Sequence, residues 1–130
     1  MNTIEEVREF FSKDYFATEN GMVIDEIGDH YAKCSLKIEK RHLNAMGFLM
    51  GGVPFVLADF TFAVASNWQK PGTVSLTSNI SFLSVAKGET IYAEACLIKD
   101  GRSTCTYNID ITDNLGNKVA LVTTNGFHKA

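Results

Sequence analysis

Three positions in one apolar stretch have the residue types that carbonyl chemistry uses. The stretch is GFLMGGVPFVLADFTFAVASN, residues 47–67, and the positions are Gly51, Gly52 and Asp59. Asp59 is the only charge in it. On a helix, Phe55, Val56, Phe62 and Ala63 share its face. A carboxylate among such neighbours loses hydration, so its charge must be compensated or its pKa rises. That leaves either a structural Asp, at a helix edge or paired with a distant Lys or Arg, or a functional acid, because perturbed acids concentrate at sites. Gly51 and Gly52 open the same helix. A helix N-terminus presents free N–H groups and partial positive charge, which suit an oxyanion, and glycine lets a ligand approach the backbone. Taken alone, the pair can equally serve only the turn into the helix.

The two features constrain each other. Gly51 and Asp59 stand eight positions apart, about 12 Å along a helix axis. A group that polarises a carbonyl and a group that attacks it must both lie within roughly 3 Å of adjacent atoms. One copy of the helix cannot do both jobs on one substrate. Two antiparallel copies across a two-fold axis can, so an acyl-transfer site of this kind is built across a homodimer.

The elements that must hold these residues are legible from periodicity. Thr3 and Glu6 fit a capping box, and Ile4, Val7, Phe10 and Phe11 recur at helical spacing, which predicts a short helix over about residues 3–13. Met22–Gly28 and Ala32–Glu39 alternate as strands, with Gly28, Asp29 and His30 as the turn. Residues 40–51 read as loop. Pro54 sits in the first turn of the central helix, where its missing N–H costs nothing, and the helix runs over about 51–67. Four more strands follow, at about 73–83, 90–99, 103–113 and 118–127, separated by turn residues and read as a meander. A helix apolar nearly all round needs cover on nearly all sides. One curved antiparallel sheet of about six strands wrapped around it provides that, an α+β fold in a single domain, 1–130.

Composition narrows the partners. The chain has 130 residues, 45% hydrophobic and 21% charged, with net charge −3. No basic run exists to meet a phosphate backbone, so a nucleic-acid partner is not expected. Asp59, Pro54 and the glycines argue against a membrane span over 47–66. The N-terminal MNTIEEVREFF is acidic and amphipathic rather than basic then apolar, unlike a secretory signal. Cys34, Cys96 and Cys105 lie far apart with no CxxC, which fits free thiols in a cytoplasmic protein. No histidines or cysteines have metal-ligand spacing, so neither a metal nor a redox cofactor is expected.

The motif His42-Leu-Asn44-x-x-Gly47-x-x-Met50-Gly51-Gly52 followed by Leu57-Ala58-Asp59 resembles the hotdog-fold acyl-CoA thioesterases, the phenylacetic-acid-degradation branch in particular. That branch typically reads H-x-N-x-x-G-x-x-H-G-G, then L-x-D. The likeness continues through Thr73-Val74-Ser75, Ile80-Ser81-Phe82-Leu83-Ser84-x-Ala86-Lys87-Gly88 and Gly101-Arg102-Ser103-Thr104, and covers about residues 21–127. It implies a hotdog fold and hydrolysis of an acyl or aryl-acyl thioester to a carboxylic acid and free coenzyme A, with no other cofactor. It implies a homodimer that pairs into a tetramer. Carried over, Asp59 is the nucleophile or general base, the Gly51 N–H polarises the thioester carbonyl, Asn44 fixes the loop or substrate, and Ser75 positions the water. Gly52, His42 and Phe82 fall on the substrate side of the motif. Lys87 and Arg102 match positions where basic side chains meet coenzyme A phosphates, though each could be a solvated strand-end charge.

Met50 departs from the pattern, which has histidine there. Methionine neither donates a strong hydrogen bond nor carries charge. It either lines an apolar wall for the acyl group, or marks a non-catalytic acyl-thioester-binding protein on the same fold, which is the alternative reading. His42 reads as a base or thioester contact, or as a loop histidine held by backbone. A hotdog dehydratase fits less well, since it needs a histidine near the central helix and this helix has none.

Overall fold

The computed structural model describes residues 1–129. One six-stranded antiparallel sheet curls round one 16-residue helix, the hotdog arrangement expected. In chain order the elements are α1 (Ile4–Phe11), α2 (Tyr15–Glu19), β1 (Met22–Gly28) and β2 (Tyr31–Lys37). A 3-10 turn at Lys40–His42 leads to α3 (Gly52–Asn67). Then come β3 (Thr73–Phe82), β4 (Thr90–Asp100), β5 (Thr104–Asp113) and β6 (Lys118–His128). Among the described residues no helix is long and apolar enough to cross a membrane.

Local chemistry explains the first elements. Thr3 Oγ1 accepts the Glu6 N–H at 3.2 Å, capping α1 as its sequence predicts. Val7 and Phe11 are buried, and the Arg8 guanidinium donates twice to the Ile24 carbonyl, at 3.0 and 2.9 Å, pinning α1 to β1. The helix stops at Phe11, short of the expected residue 13. The single turn α2 was not expected, since five residues are too few to show a helical period. Ala17 packs inward, while Tyr15 and Phe16 stay exposed. β2 ends at Lys37 rather than Glu39, because the Glu39 N–H turns to donate to His42 Nδ1 at 2.9 Å.

The sheet order β1-β2-β4-β5-β6-β3 corrects the four-strand meander. Of the last four strands only β4, β5 and β6 are consecutive neighbours. β3 pairs instead with β6, at the far edge. The segment after β3 therefore crosses the end of the sheet rather than turning back as a hairpin. The β5–β6 turn holds that crossing: Asp113 Oδ2 accepts the Lys87 N–H at 2.9 Å, and Asn114 Oδ1 accepts those of Glu89 and Thr90 at 2.8 and 3.1 Å. Gly88 passes so close to the Asn114 amide that no Cβ fits there. Burial alone would push the Asp113 carboxyl up. Hydrogen bonds from the Lys87, Asn117 and Leu115 N–H groups and the Asn117 amide outweigh it and hold the carboxyl down at about 2.

The helix lies over β2 and β4, where Ala32, Cys34, Ala93 and Ala95 present small side chains and allow close approach. Leu57, Phe62 and Val64 are buried against the sheet, each such burial contributing about 1.5–3 kcal/mol. Cover is incomplete. Gly52, Phe55, Val56, Asp59, Ala63 and Ser66 form a partly exposed stripe at helical spacing, with Asp59 the one residue of α3 in the exposed range. The sheet of one chain thus leaves a single face of the helix open, and Asp59 lies in its middle.

Candidate active site

The open stripe of α3 borders two clefts, and Asp59 lines both. One, of about 520 Å³, runs between α3 and β3 past Gly52, Phe55, Val56, Ser75 and Leu76. The other, of about 450 Å³, runs between α3 and the Asp14–Ala17 segment, over Val56 and Phe60. Among the described residues the Asp59 carboxylate has no hydrogen-bond or ion-pair partner, and no cationic side chain lines either cleft. Loss of hydration first, and the nearby Asp14 charge second, raise its pKa above the ordinary carboxylate value. Such a group is a better base near neutral pH than a free aspartate.

Ser75 reaches the same cleft because α3 and β3 are tied together at their junction. Asn67 Oδ1 accepts the N–H groups of Gly72 and Thr73 at 2.8 Å each, and its amide donates to Thr73 O at 3.0 Å and to Ala63 O at 2.9 Å. One side chain therefore turns the helix end into the strand. An irregularity in the β3–β6 register between Ser75 and Thr77 re-aims the strand there. Asn67 was missed in the sequence; an Asn just before Pro71-Gly72 was the available signal.

The N-terminal end of α3 is open in a different way. Among the described residues neither the Gly51 nor the Gly52 N–H donates to another protein group, whereas Val53 N–H bonds to Met50 O at 3.0 Å. The two glycines are also hemmed in. A Cβ on Gly51 would stand 3.1 Å from Phe82 Cζ, and one on Gly52 would stand 2.9 Å from the Met50 methyl. Phe82 and Met50 therefore flank the free N–H groups with apolar surface. Asn44 organises the loop before them: its Oδ1 accepts the N–H groups of Met46 and Phe48, at 3.0 and 3.1 Å, and Met50 N–H bonds back to His42 O at 3.0 Å.

His42 is buried with both ring nitrogens engaged. Nδ1 accepts the Glu39 N–H, so Nε2 carries the proton and donates to Asn20 O at 2.9 Å. This is the loop-histidine arrangement, and it leaves no ring nitrogen for a substrate. Lys87 lies exposed on the crossing after β3. Arg102 lines a separate polar hollow of about 250 Å³ beyond the C-terminal end of α3, with Lys70, His30, Asp100 and His128. Within one chain, then, Asp59 and Ser75 share a cleft, Met50, Phe82 and the glycines gather at the helix start, and neither Lys87 nor Arg102 joins them.

A chain with this geometry can be compared with known proteins. Residues 46–120 match the family model described as the thioesterase superfamily, and a putative esterase of Archaeoglobus fulgidus is 31% identical over 121 residues, 91% of this chain and 78% of that protein. The chain belongs to the thioesterase superfamily. Within it, the acyl-coenzyme A thioesterase PaaI of Escherichia coli is 30% identical over 112 residues, 85% of this chain and 80% of that protein. The structure of the E. coli PaaI protein superposes with a TM-score of 0.90, covering 97% of this chain and 92% of that chain at 26% identity. Human acyl-coenzyme A thioesterase 13 is 34% identical over 89 residues, 66% of this chain and 64% of that protein. Of the motif that suggested hotdog thioesterases in the sequence, His42 to Asp59, the part from Gly47 onward falls inside the matched family segment.

Proposed function

We propose that this thioesterase-superfamily chain hydrolyses acyl-CoA or aryl-acyl-CoA thioesters to a carboxylic acid and free coenzyme A. The observation that carries the reading is the open face of α3. Among the described residues Asp59 lacks a partner at its middle, and two N–H groups lack acceptors at its start. Those features lie about 12 Å apart and cannot meet one carbonyl from one copy. In the proposed enzyme two copies pack their open α3 stripes antiparallel, so the Gly51 N–H of one faces the Asp59 of the other. The apolar character of Phe55, Val56 and Ala63 beside Asp59 favours such cover. Such dimers pair into tetramers, and the protein works in the cytoplasm.

Each residue then has a role. The Gly51 N–H, at the positive end of α3, donates to the thioester oxygen as it gains charge. Asp59 either attacks the carbonyl carbon or takes a proton from a water that does, and Ser75 orients that water. Asn44 holds the glycine loop in register, and Gly52 keeps space beneath the Met50 methyl. Met50 and Phe82 form an apolar wall for the acyl or pantetheine chain. Lys70 joins Arg102 in the polar hollow as a cationic partner for a coenzyme A phosphate, and Lys87 offers a second position. Names of relatives that act on acyl-coenzyme A support this choice of substrate class. Thiol release from a panel of acyl-CoAs tests the reading. Asp59→Ala should lower release by about 100-fold or more with the circular dichroism spectrum unchanged; turnover surviving in that variant removes Asp59 from the chemistry.

Met50 supports a second reading. Its methyl stands over Gly52 where related motifs carry a histidine, so a polar contact at the thioester is absent there. The chain would then bind acyl thioesters without turning them over. A thermal shift with acyl-CoA and no thiol release across the panel would favour that reading.

A further inference from the structure

The cleft between α3 and α2 contains a second carboxylate. Asp14 stands at the N-cap of α2, the position where an aspartate ordinarily accepts N–H groups of the first turn. Here its side chain makes no capping bond, and among the described residues its carboxylate has neither a hydrogen-bond nor an ion-pair partner. The cap is made by its main chain alone, Asp14 O accepting Thr18 N–H and Thr18 Oγ1–H at 3.0 Å each. The free carboxylate lines the same 450 Å³ cleft as Asp59, between Tyr15, Phe16, Val56 and Phe60.

We propose that Asp14 is the electrostatic partner of Asp59, a positioning residue that acts through the Asp59 carboxylate and not on the substrate. Three observations on the chain support this. Among the described residues both carboxylates lack partners. Both line one cleft of about 450 Å³ whose other walls are apolar or aromatic, and both stay exposed at its mouth, so they feel each other as a partly screened pair. Among the described residues no cation lines either cleft: α2 contributes Asp14 and the phenol of Tyr15, α3 contributes only Asp59, β3 contributes Ser75, Leu76, Thr77 and Ser78, and Lys13, next to Asp14, sets its Nζ over the Phe10 ring. Two carboxylates in such a space do not ionise independently. The directions agree, since burial raises Asp14, and burial and then the Asp14 charge raise Asp59. The first charge to form on the pair makes the second proton harder to remove.

This pairing supplies a use for α2. A five-residue turn at the surface, with Tyr15 63% and Phe16 70% exposed, adds little to the core. What it does is set a charge beside Asp59. The inference rests on Asp59 being the reactive carboxylate, and its test is separable from that reading because it needs no turnover. Protein labelled with ¹³C at the aspartate carboxyls is titrated by NMR, free of substrate. In Asp14→Asn the Asp59 midpoint should fall by about 0.5–1 unit, and in Asp59→Asn the Asp14 midpoint should fall too, because each carboxylate titrates in the field of the other. Asp14→Glu, which keeps the charge, should hold Asp59 near its wild-type midpoint. In thiol release, the acid limb of kcat/KM for Asp14→Asn should move to lower pH with the Asp59 midpoint. Asp59 titrating unchanged in folded Asp14→Asn overturns the pairing. Should Asp14→Asn not fold, the Asp14 midpoint in Asp59→Asn decides the same question. An Asp59 shift in a protein without thiol release would leave the pair standing and sink the hydrolase reading.

Discussion

Asn67 offers the sharpest test of how the fold delivers Ser75 to Asp59. Replacing it with alanine removes the acceptor for two main-chain N–H groups, those of Gly72 and Thr73, both at 2.8 Å, and two amide donations as well. The N–H of Gly72 is half-buried and that of Thr73 is buried. A buried donor left without a partner costs about 1–3 kcal/mol, and water reaches Gly72 more easily than Thr73. The sum for Asn67→Ala is about 2–3 kcal/mol. For a chain of this length that lowers the melting temperature by roughly 6–12 °C. Thermal unfolding followed by circular dichroism, at fixed protein concentration because association changes the apparent midpoint, measures it. Asn67→Asp is the control. It keeps the acceptor for both N–H groups and loses the donations, while placing a negative charge at the helix C-terminus, worth about 0.3–1 kcal/mol against it. It should therefore lie between wild type and Asn67→Ala. The functional consequence follows from the same geometry: with the α3–β3 junction loosened, Ser75 is held less firmly opposite Asp59, and kcat for thiol release should fall more than KM rises. An Asn67→Ala protein melting within about 1–2 °C of wild type would refute the claim that this side chain carries the junction.

Two further predictions test the helix start and the sheet crossing. Gly51→Ala sets a Cβ about 3.1 Å from the Phe82 ring, which is 58% exposed and can swing aside. Stability should change by less than about 1 kcal/mol. The added methyl crowds the N–H that would meet the thioester oxygen, so thiol release should drop about tenfold or more; unchanged turnover would remove that N–H from the site. Asp113 should shape acid stability. Its folded pKa lies below the unfolded value of 3.8, at about 2, so it stabilises the fold above the unfolded value and that contribution is lost as pH falls from about 4 to 2. Urea midpoints measured across that window should fall more steeply for wild type than for Asp113→Asn, and parallel curves would contradict this.

The relation of sequence to structure differs element by element. The cap at Thr3, the alternation in β1 and β2, the all-apolar α3 and the turn residues before β5 and β6 are local signals, each readable because side-chain period and backbone preference act within a few residues. They determined the element list apart from α2, and the α+β class; the hotdog likeness rested instead on the motif from His42 to Asp59. They also picked out Asp59 and the paired glycines, since a lone charge in an apolar helix and glycine at its start are anomalies of composition. They could not determine which strand β3 pairs with. A meander and the observed order contain the same strands and differ in which strand β3 meets, here through pairs 38 to 55 residues apart such as Ile80 opposite Val122. The same limit explains α2, too short to show a period, and His42, whose role is set by the Asn20 carbonyl 22 residues away. Asn67 sits between these cases, legible as a turn residue but not as the tie between helix and strand. The open face of α3 was invisible because an all-apolar helix reads as fully buried. Only the curl of the finished sheet decides which side it leaves uncovered, and that side is where Asp59 stands.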